Sequence, residues 1–381
     1  MSSFEEFTLL DLCKVSTGKK DANHGQDNGK FPFFTCASVP IRANTYSFDG
    51  DSIILPGNGA NVGLVLFYSG KFEAYQRTYV LNQFKDFVDV RYIYQLLKRD
   101  WDNINRNAQY GSATNYIRMQ NFENFKVKLP PLEEQKRIAA ILDKADAVRH
   151  KRQKAIELSE QLLRSVFLDM FGDPVTNPKG LPTASLIEVS KKVTDGTHQS
   201  PVWSETGIPF LFISNIVNNE ISFQVDKYIT EKNWLELTKN SPIEEGDVLY
   251  TTVGSYGNAA LVKENTRFCF QRHIAHIKPI KNIIHPTFLW VMMNSPGIKK
   301  QADKQVRGIA QKTLNLGELK QFIIFVPTMS KQIEFVNIVT QHKAILNKLI
   351  AESSLANNLF NSLTQQVFSG ELNNQTKVES T

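Results

Sequence analysis

Two stretches of the chain carry a helical hydrophobic rhythm with no glycine or proline to break it. From Glu133 to about Phe171 the stripe reads Ile138, Ile141, Ala145, Val148, Arg152, Ala155, Leu158/Leu162, Val166 and Met170. From Ser330 to about Ser369 it reads Ile333, Val336, Ile338, Ile345, Leu349, Leu355, Leu359, Leu363 and Val367. Steps alternating between three and four predict an amphipathic helix packed in a coiled coil. The first helix would be roughly 58 Å long at 1.5 Å per residue. Gly172-Asp173-Pro174 stops it, and Gly370 follows the second. A lone helix of this kind leaves its stripe wet, whereas two can bury each other.

The segments before each helix have a different rhythm. Short β-like runs are punctuated by Gly, Pro, Asn and Asp: FPFFTCAS, DSIILPG and VGLVLFY, then IPFLFIS, DVLYTTV and RFCFQRHIAHI. Helical stretches are predicted near 88–102 and 286–304, and a last strand, FKVKLP or FIIFVP, ends at proline.

These parallels come from a duplication. Residues 108–141 align without gaps on 305–338 at an offset of 197. Gly111 falls on Gly308, Ala113 on Ala310, Ile117 on Leu314, Phe125 on Phe322, Pro130 on Pro327 and Gln135 on Gln332. Upstream, Gly50-Asp51 matches Gly246-Asp247, Gly59 and Gly63 match Gly254 and Gly257, and Gln76-Arg77 echoes Gln271-Arg272. One repeat at this period is two copies of a domain and its appendage, not a solenoid. The predicted fold class is α+β: two mixed α/β domains, 1–131 and 173–328, each followed by a long helix, 132–172 and 329–370. The helices form an antiparallel coiled-coil spacer with one domain at either end, and 371–381 is a disordered tail.

Composition fits this without adding a chemistry. With 41% hydrophobic and 22% charged residues the 381-residue chain reads as a globular protein of two or three domains. A net charge of +6 is mild, so any nucleic-acid surface is a local patch. Cys13, Cys36 and Cys269 lack metal-ligand spacing and suit a reduced, cytoplasmic setting. No signal peptide or membrane span is read.

Catalytic signatures are missing: no phosphate-binding G-x-x-x-x-G-K-[ST], no H-E-x-x-H, no Cys/His cluster and no Asn-Pro-Pro-aromatic motif. PGNGANVG lacks G-x-G-x-x-G spacing, so a tight turn is favoured over a cofactor loop. His24, His198, His273 and His276 have no carboxylate partner recurring across the copies, so they read as structural or surface residues.

LPPLEEQKRIAAILDKADAVRHKRQKAIELSEQLLRSVFLDMFGDP resembles the central helical spacer of the specificity subunits of type I restriction-modification systems. DGTHQSPVWSETGIPFLFISNI and FTLLDLCKVSTGK resemble the openings of their target-recognition domains. The second spacer is a looser match, with Lys331 where the first copy has Glu134. The resemblance covers essentially the whole chain. It implies a non-catalytic subunit that reads a split, asymmetric site on double-stranded DNA, one half per domain. It also implies partners: two modification subunits, adenine methyltransferases using S-adenosylmethionine, and restriction subunits driven by ATP and Mg. No cofactor is expected on this chain. The rod exceeds one DNA turn of about 34–36 Å, so an unread spacer would separate the half-sites. The residues alone also admit a coiled-coil protein scaffold without DNA binding, and, less well, a methyltransferase fusion.

Base reading needs polar side chains on loops that reach a groove. Repeated loop positions supply Asn58, Asn61, Gln76, Arg77, Tyr110, Ser112, Thr114 and Asn115 in the first copy. The second supplies Thr197, His198, Gln199, Ser255, Tyr256, Gln271, Arg272, Arg307, Gln311 and Lys312. Lys299, Lys300, Lys304, Arg307 and Lys312 form a basic run with only Asp303 opposed, suited to phosphate. Arg152, inside the apolar stripe, is either a polar pin between helices or a DNA contact.

Overall fold

The computed structural model describes residues 5–106, 115–308 and 312–369, with backbone alone for 104–106 and 369. Tyr110, Ser112, Thr114, Gln311, the repeat positions Gly111, Ala113 and Ala310, and the 371–381 tail lie outside the described residues. The chain divides into two compact units, Met1–Lys154 with Ala351–Thr381, and Ala155–Ile350. The division falls inside both long helices, Leu132–Phe171 and Met329–Ser369, so each unit holds a globular part and a portion of each helix.

The globular parts share one topology. In the first unit a four-stranded antiparallel sheet runs in the order Lys14–Thr17, Thr78–Asn82, Ser52–Pro56, Leu66–Tyr68. In the second the order is Ser190–Asp195, Ile274–Pro279, Val248–Thr251, Ala259–Leu261. A smaller sheet in each contains one parallel pairing, Phe33 and Phe34 with Glu73 and Ala74, or Phe210 and Leu211 with Cys269 and Phe270. A third pairing ties the start of each copy to its end: Glu6–Thr8 with Lys126–Lys128, and Thr183–Ser185 with Ile323–Phe325. That closure brings each long helix out beside the first strand of its own domain.

Two departures from the predicted elements have local causes. The first copy has one helix, Val90–Arg106, but the second breaks into Pro286–Met293 and Pro296–Gln305. Ser295 caps the second piece through Ile298 N–H, and Pro296, which has no N–H to continue the ladder, sits in its first turn. The second copy also carries an added hairpin, Ile216–Val217 with Glu220–Ile221, and a helix, Glu231–Thr238. Asn218 and Asn219, at φ 51° and 61°, make the hairpin turn in the left-handed region that asparagine tolerates.

Within each unit the long helices run antiparallel. In the first unit Ile138 and Leu142 share a core with Leu363 and Val367, while further along Arg152 pairs with Glu352. In the second, Ser159 meets His342 at 3.0 Å and Phe167 and Phe171 both pack edge-on against Phe335. Arg152 is therefore the pin between helices.

The seam differs by one column from the stripe read in the sequence. Inward positions on the first helix run 138, 142, 145, 149, 152, 156, 159, 163, 166 and 170, and on the second 335, 339, 342, 346, 349, 353, 356, 360, 363 and 367. Val148, Leu158, Leu162, Ile333, Ile345, Leu355 and Leu359, all assigned to the stripe, are exposed. Each helix carries two apolar columns at seven-residue spacing, and the periodicity is the same for both. The buried one includes Arg152 together with polar Arg149, Ser159, His342 and Ser353, four positions that the hydrophobic pattern hides.

Candidate nucleic-acid interface

In both units three loops meet at one edge of the four-stranded sheet, held by the same backbone bonds. Gly18 N–H donates to Thr78 O at 3.1 Å, and Gly196 N–H to Ile274 O at 3.2 Å. Tyr75 N–H reaches Phe34 O, as Gln271 N–H reaches Leu211 O. Gly57 N–H donates to Arg77 O at 2.9 Å, matching Thr252 to His273 at 3.0 Å. Gly59 N–H donates to Asn115 O at 2.8 Å, matching Gly254 to Lys312 at 2.9 Å. Gly59 and Gly254 turn the loop at φ 89° and 65°. Gly18 and Gly196 are required by crowding: an added Cβ would stand 1.9 Å from Ala74 O and 2.2 Å from Phe270 O.

These bonds correct the repeat by one residue at its most suggestive point. The two Gln-Arg dipeptides are not equivalent. Tyr75 matches Gln271, Gln76 matches Arg272, and Arg77 matches His273. Identity at an offset of 195 outscored the true register because the loop before this turn differs in length.

In the first unit the structure gathers Asn58, Gln76 and Arg77 around a recess of ≈ 390 Å³ that Tyr116, Tyr79 and Thr17 also line. Asn61 lies beside it, its amide donating to Cys36 O at 2.8 Å, and Cys36 Sγ donates to Asn58 Oδ1. Asn115 joins the edge through Gly59. Gln76 and Arg77 are exposed. Tyr116 and Arg118, absent from the sequence shortlist, belong here: Arg118 Nη2 donates to the Tyr116 hydroxyl at 2.8 Å and its guanidinium lies over that ring. Their one sequence signal is adjacency to the repeated Asn115.

In the second unit Thr197 bridges to Gln271, and Thr197 Oγ1 accepts from Gln199 N–H. His198 pairs with Asp195 at 2.6 Å. Arg272 is exposed, and its Nε donates to His273 Nε2 at 3.3 Å. Burial, then the Arg272 and His198 charges, hold His273 below the ordinary histidine value. Ser255 and Lys312 are exposed on the adjoining loops.

Tyr256 departs from its expected role. It sits in the core of the unit, its hydroxyl donates to Asp303 at 2.7 Å, and Lys299 lies 3.5 Å from its ring centroid. The basic run is also less free than its sequence suggests. Lys299 pairs with Asp303, Lys300 with Asp173 at 3.9 Å, and Arg307 with Glu318 at 2.8 Å. Asp173 and Glu318 lie outside the run in sequence, and the fold brings them to it. Lys304 and Lys312 are exposed.

Of the four histidines singled out in the sequence, His198 and His276 have carboxylate partners. Besides His198, buried His276 donates through Nε2 to Asp247 Oδ2 at 2.6 Å, with Lys278 also donating to Asp247 and Ser241 Oγ 3.2 Å from the other ring nitrogen. Burial would raise the Asp247 carboxyl, but the His276 and Lys278 bonds outweigh it and hold it low. In the first copy the strand position of His276 is Val80, so the arrangement is not duplicated. Among the described residues no group of three His, Cys, Asp or Glu side chains gathers as metal ligands, and no helix is long and apolar enough to cross a membrane.

A duplicated α+β reader whose two edges share a backbone frame but not their side chains is the class these features define. The chain matches the type I restriction modification DNA specificity domain over residues 1–159 and 183–354, and it belongs to that family. It is 27% identical to the type I restriction enzyme EcoDI specificity subunit of Escherichia coli, across 97% of this chain and 89% of that one. It is 24% identical to the MjaVIII specificity subunit of Methanocaldococcus jannaschii, across 86% and 83%. Its fold is similar to that of the crystallised S subunit of a type I restriction-modification system from M. genitalium, with a TM-score of 0.63 at 16% identity over 96% and 97% of the two chains.

Proposed function

We propose that this chain is the DNA specificity subunit of a type I restriction-modification complex, each unit reading one half of a bipartite, asymmetric target. The observation that carries the reading is the shared frame with unlike contents: Gln76, Arg77 and Asn115 stand where Arg272, His273 and Lys312 stand. A frame kept in duplicate with its exposed side chains exchanged is what two readers of different base sequences require. The chain then supplies address in the cytoplasm. Methyl transfer from S-adenosylmethionine falls to two modification subunits, and ATP-driven translocation and cleavage to restriction subunits.

Mapping N6-methyladenine across a host genome with and without the gene tests this. A bipartite motif with unlike halves that vanishes on deletion is the expected result. An unchanged methylation map, with no salt-dependent DNA binding by the assembled complex, would leave the protein-scaffold reading in its place.

A further inference from the structure

The recess at the reading edge of the first unit has walls that a base inside a duplex cannot use. Two tyrosine rings line it, and each is held in place. Tyr79 packs tilted against buried Phe122 with ring centroids 4.9 Å apart, and its hydroxyl donates to Ile117 O at 3.3 Å. Tyr116 is held by Arg118, which lies over the ring and donates to its hydroxyl. The polar lining is free to bind. Thr17 Oγ1, Asn58 Nδ2, the Gln76 amide and the Arg77 guanidinium have no hydrogen-bonding or ionic partner among the described residues. Asn58 is oriented nonetheless, because its Oδ1 accepts from Cys36 Sγ at 2.9 Å. Gln76 and Arg77 are exposed, and the other four are half-buried. The volume of ≈ 390 Å³ lies within the range of about 300–1,000 Å³ found for ligand pockets.

The second unit keeps the frame and loses these walls. Strand register places Ala275 at the position of Tyr79 and Asp195 at that of Thr17. The matching bridges place Thr313 at the position of Tyr116 and Val253 at that of Asn58. The fold is therefore built without either ring in one copy, so the rings of the other are not there to hold the frame.

We propose that the recess takes one nucleobase that has left the duplex, from the half-site read by the first unit and from no position of the other half. A stacked base offers a groove only its edge, and its ring face becomes available once it unstacks. Aromatic rings bind that face, side-chain amides the freed Watson–Crick edge, and a guanidinium the flanking phosphate. A groove contact would use the polar groups and leave the rings idle. The inference rests on the functional reading above and goes beyond it: the first unit binds an opened duplex, not an intact one.

The test uses the full chain assembled with its modification subunit, on duplexes of its mapped target, at one salt concentration. Each base in turn is kept while its partner is mismatched, and affinity is read by fluorescence anisotropy. A mismatch removes in advance the cost of opening the pair, so at one position of the first half-site binding should tighten by about tenfold or more. Tyr116→Ala should abolish that tightening, and Tyr116→Phe, which keeps the ring, should retain it. A methyltransferase also takes its target base out of the stack, but tightening from that source survives Tyr116→Ala. Should Tyr116→Ala disturb folding, Gln76→Ala on the exposed loop carries the same comparison. Absence of any position where tightening depends on Tyr116 or Gln76 overturns the proposal. So does an equal loss on intact and mismatched target, the mark of an ordinary groove contact. Sequence-specific binding without such a position sinks this proposal alone, whereas a parent complex with no sequence-specific binding sinks the functional reading as well.

Discussion

Gln135 and Gln332 make the same three hydrogen bonds 197 positions apart. Gln135 Nε2 donates to Phe87 O and Pro130 O at 3.0 and 2.9 Å, and its Oε1 accepts Asp89 N–H at 2.8 Å. Gln332 Nε2 donates to Ile283 O and Pro327 O at 3.0 and 2.8 Å, and its Oε1 accepts His285 N–H at 2.7 Å. Both are buried. Each amide ties the first turn of a long helix to the loop that opens Val90–Arg106 in one copy and Pro286–Met293 in the other. Replacing Gln332 with Ala strands two carbonyls and an N–H, and should cost roughly 2–3 kcal/mol. Thermal unfolding of the variant checks this, and an unchanged melting temperature would show that the staple adds nothing.

The Gln135–Gln332 match was legible because the offset is constant from the loop to the helix. The strands and the two long helices were legible for the same kind of reason, from local rhythm and turn residues. The seam was read one column off because Val148 and Leu162 repeat at the same seven-residue spacing as the buried positions, and periodicity does not say which column faces inward. The reading edge was legible as a set of loops. Tyr116 and Arg118 escaped it, and Tyr256 was misplaced, because burial and contacts such as Tyr256–Asp303 are made across sequence separations that no motif records.

Gly18 and Gly196 lie where backbone meets backbone. A methyl group at Gly196 would stand 2.2 Å from Phe270 O and 2.4 Å from Gln271 O, and neither can withdraw without opening the turn that carries Arg272. Gly196→Ala should cost about 1–3 kcal/mol or more through overpacking, and should abolish reading of one half-site only. Binding to duplexes scrambled in either half is the measurement. Equal loss of preference for both halves would contradict independent readers.

Asp247 makes a pH-dependent contribution to folding. Its carboxyl is buried and held below the ordinary value by His276 and Lys278. The stability it gives is complete above the unfolded carboxylate value of about 4, and is lost as pH falls through the lower native value. Asp247→Asn should destabilise the chain by about 3 kcal/mol at pH 7, since it takes the carboxylate away from the Lys278 ammonium and from the buried His276 ring. The gap between variant and parent should shrink as unfolding is repeated toward pH 3. A gap that does not change with pH would remove the ionised carboxylate from the account.

Arg272 is exposed at the position of Gln76, with His273 accepting from its Nε. A guanidinium oriented in this way suits bidentate contact with a base edge. Arg272→Ala should weaken specific binding by about 1–3 kcal/mol and non-specific binding by less, at one fixed salt concentration. Equal losses on target and non-target DNA would assign Arg272 to phosphate or to folding.

Lys304 and Lys312 differ from the rest of the basic run. Lys299, Lys300 and Arg307 each have a carboxylate close by, so their charge is partly offset before DNA arrives. Phosphate neutralisation releases counterions in proportion to the number of phosphates contacted, with a slope of about −0.9 per phosphate on a log–log plot. Lys304→Ala and Lys312→Ala should each therefore reduce the salt slope of binding by about 1 and weaken target and non-target DNA alike. Lys300→Ala should reduce it by less, because the lysine must first give up Asp173. Titrations of the assembled complex across a salt series separate the cases. A larger change in slope for Lys300 than for Lys304 or Lys312 would reverse this order and place the DNA backbone on the Asp173 side of the helix.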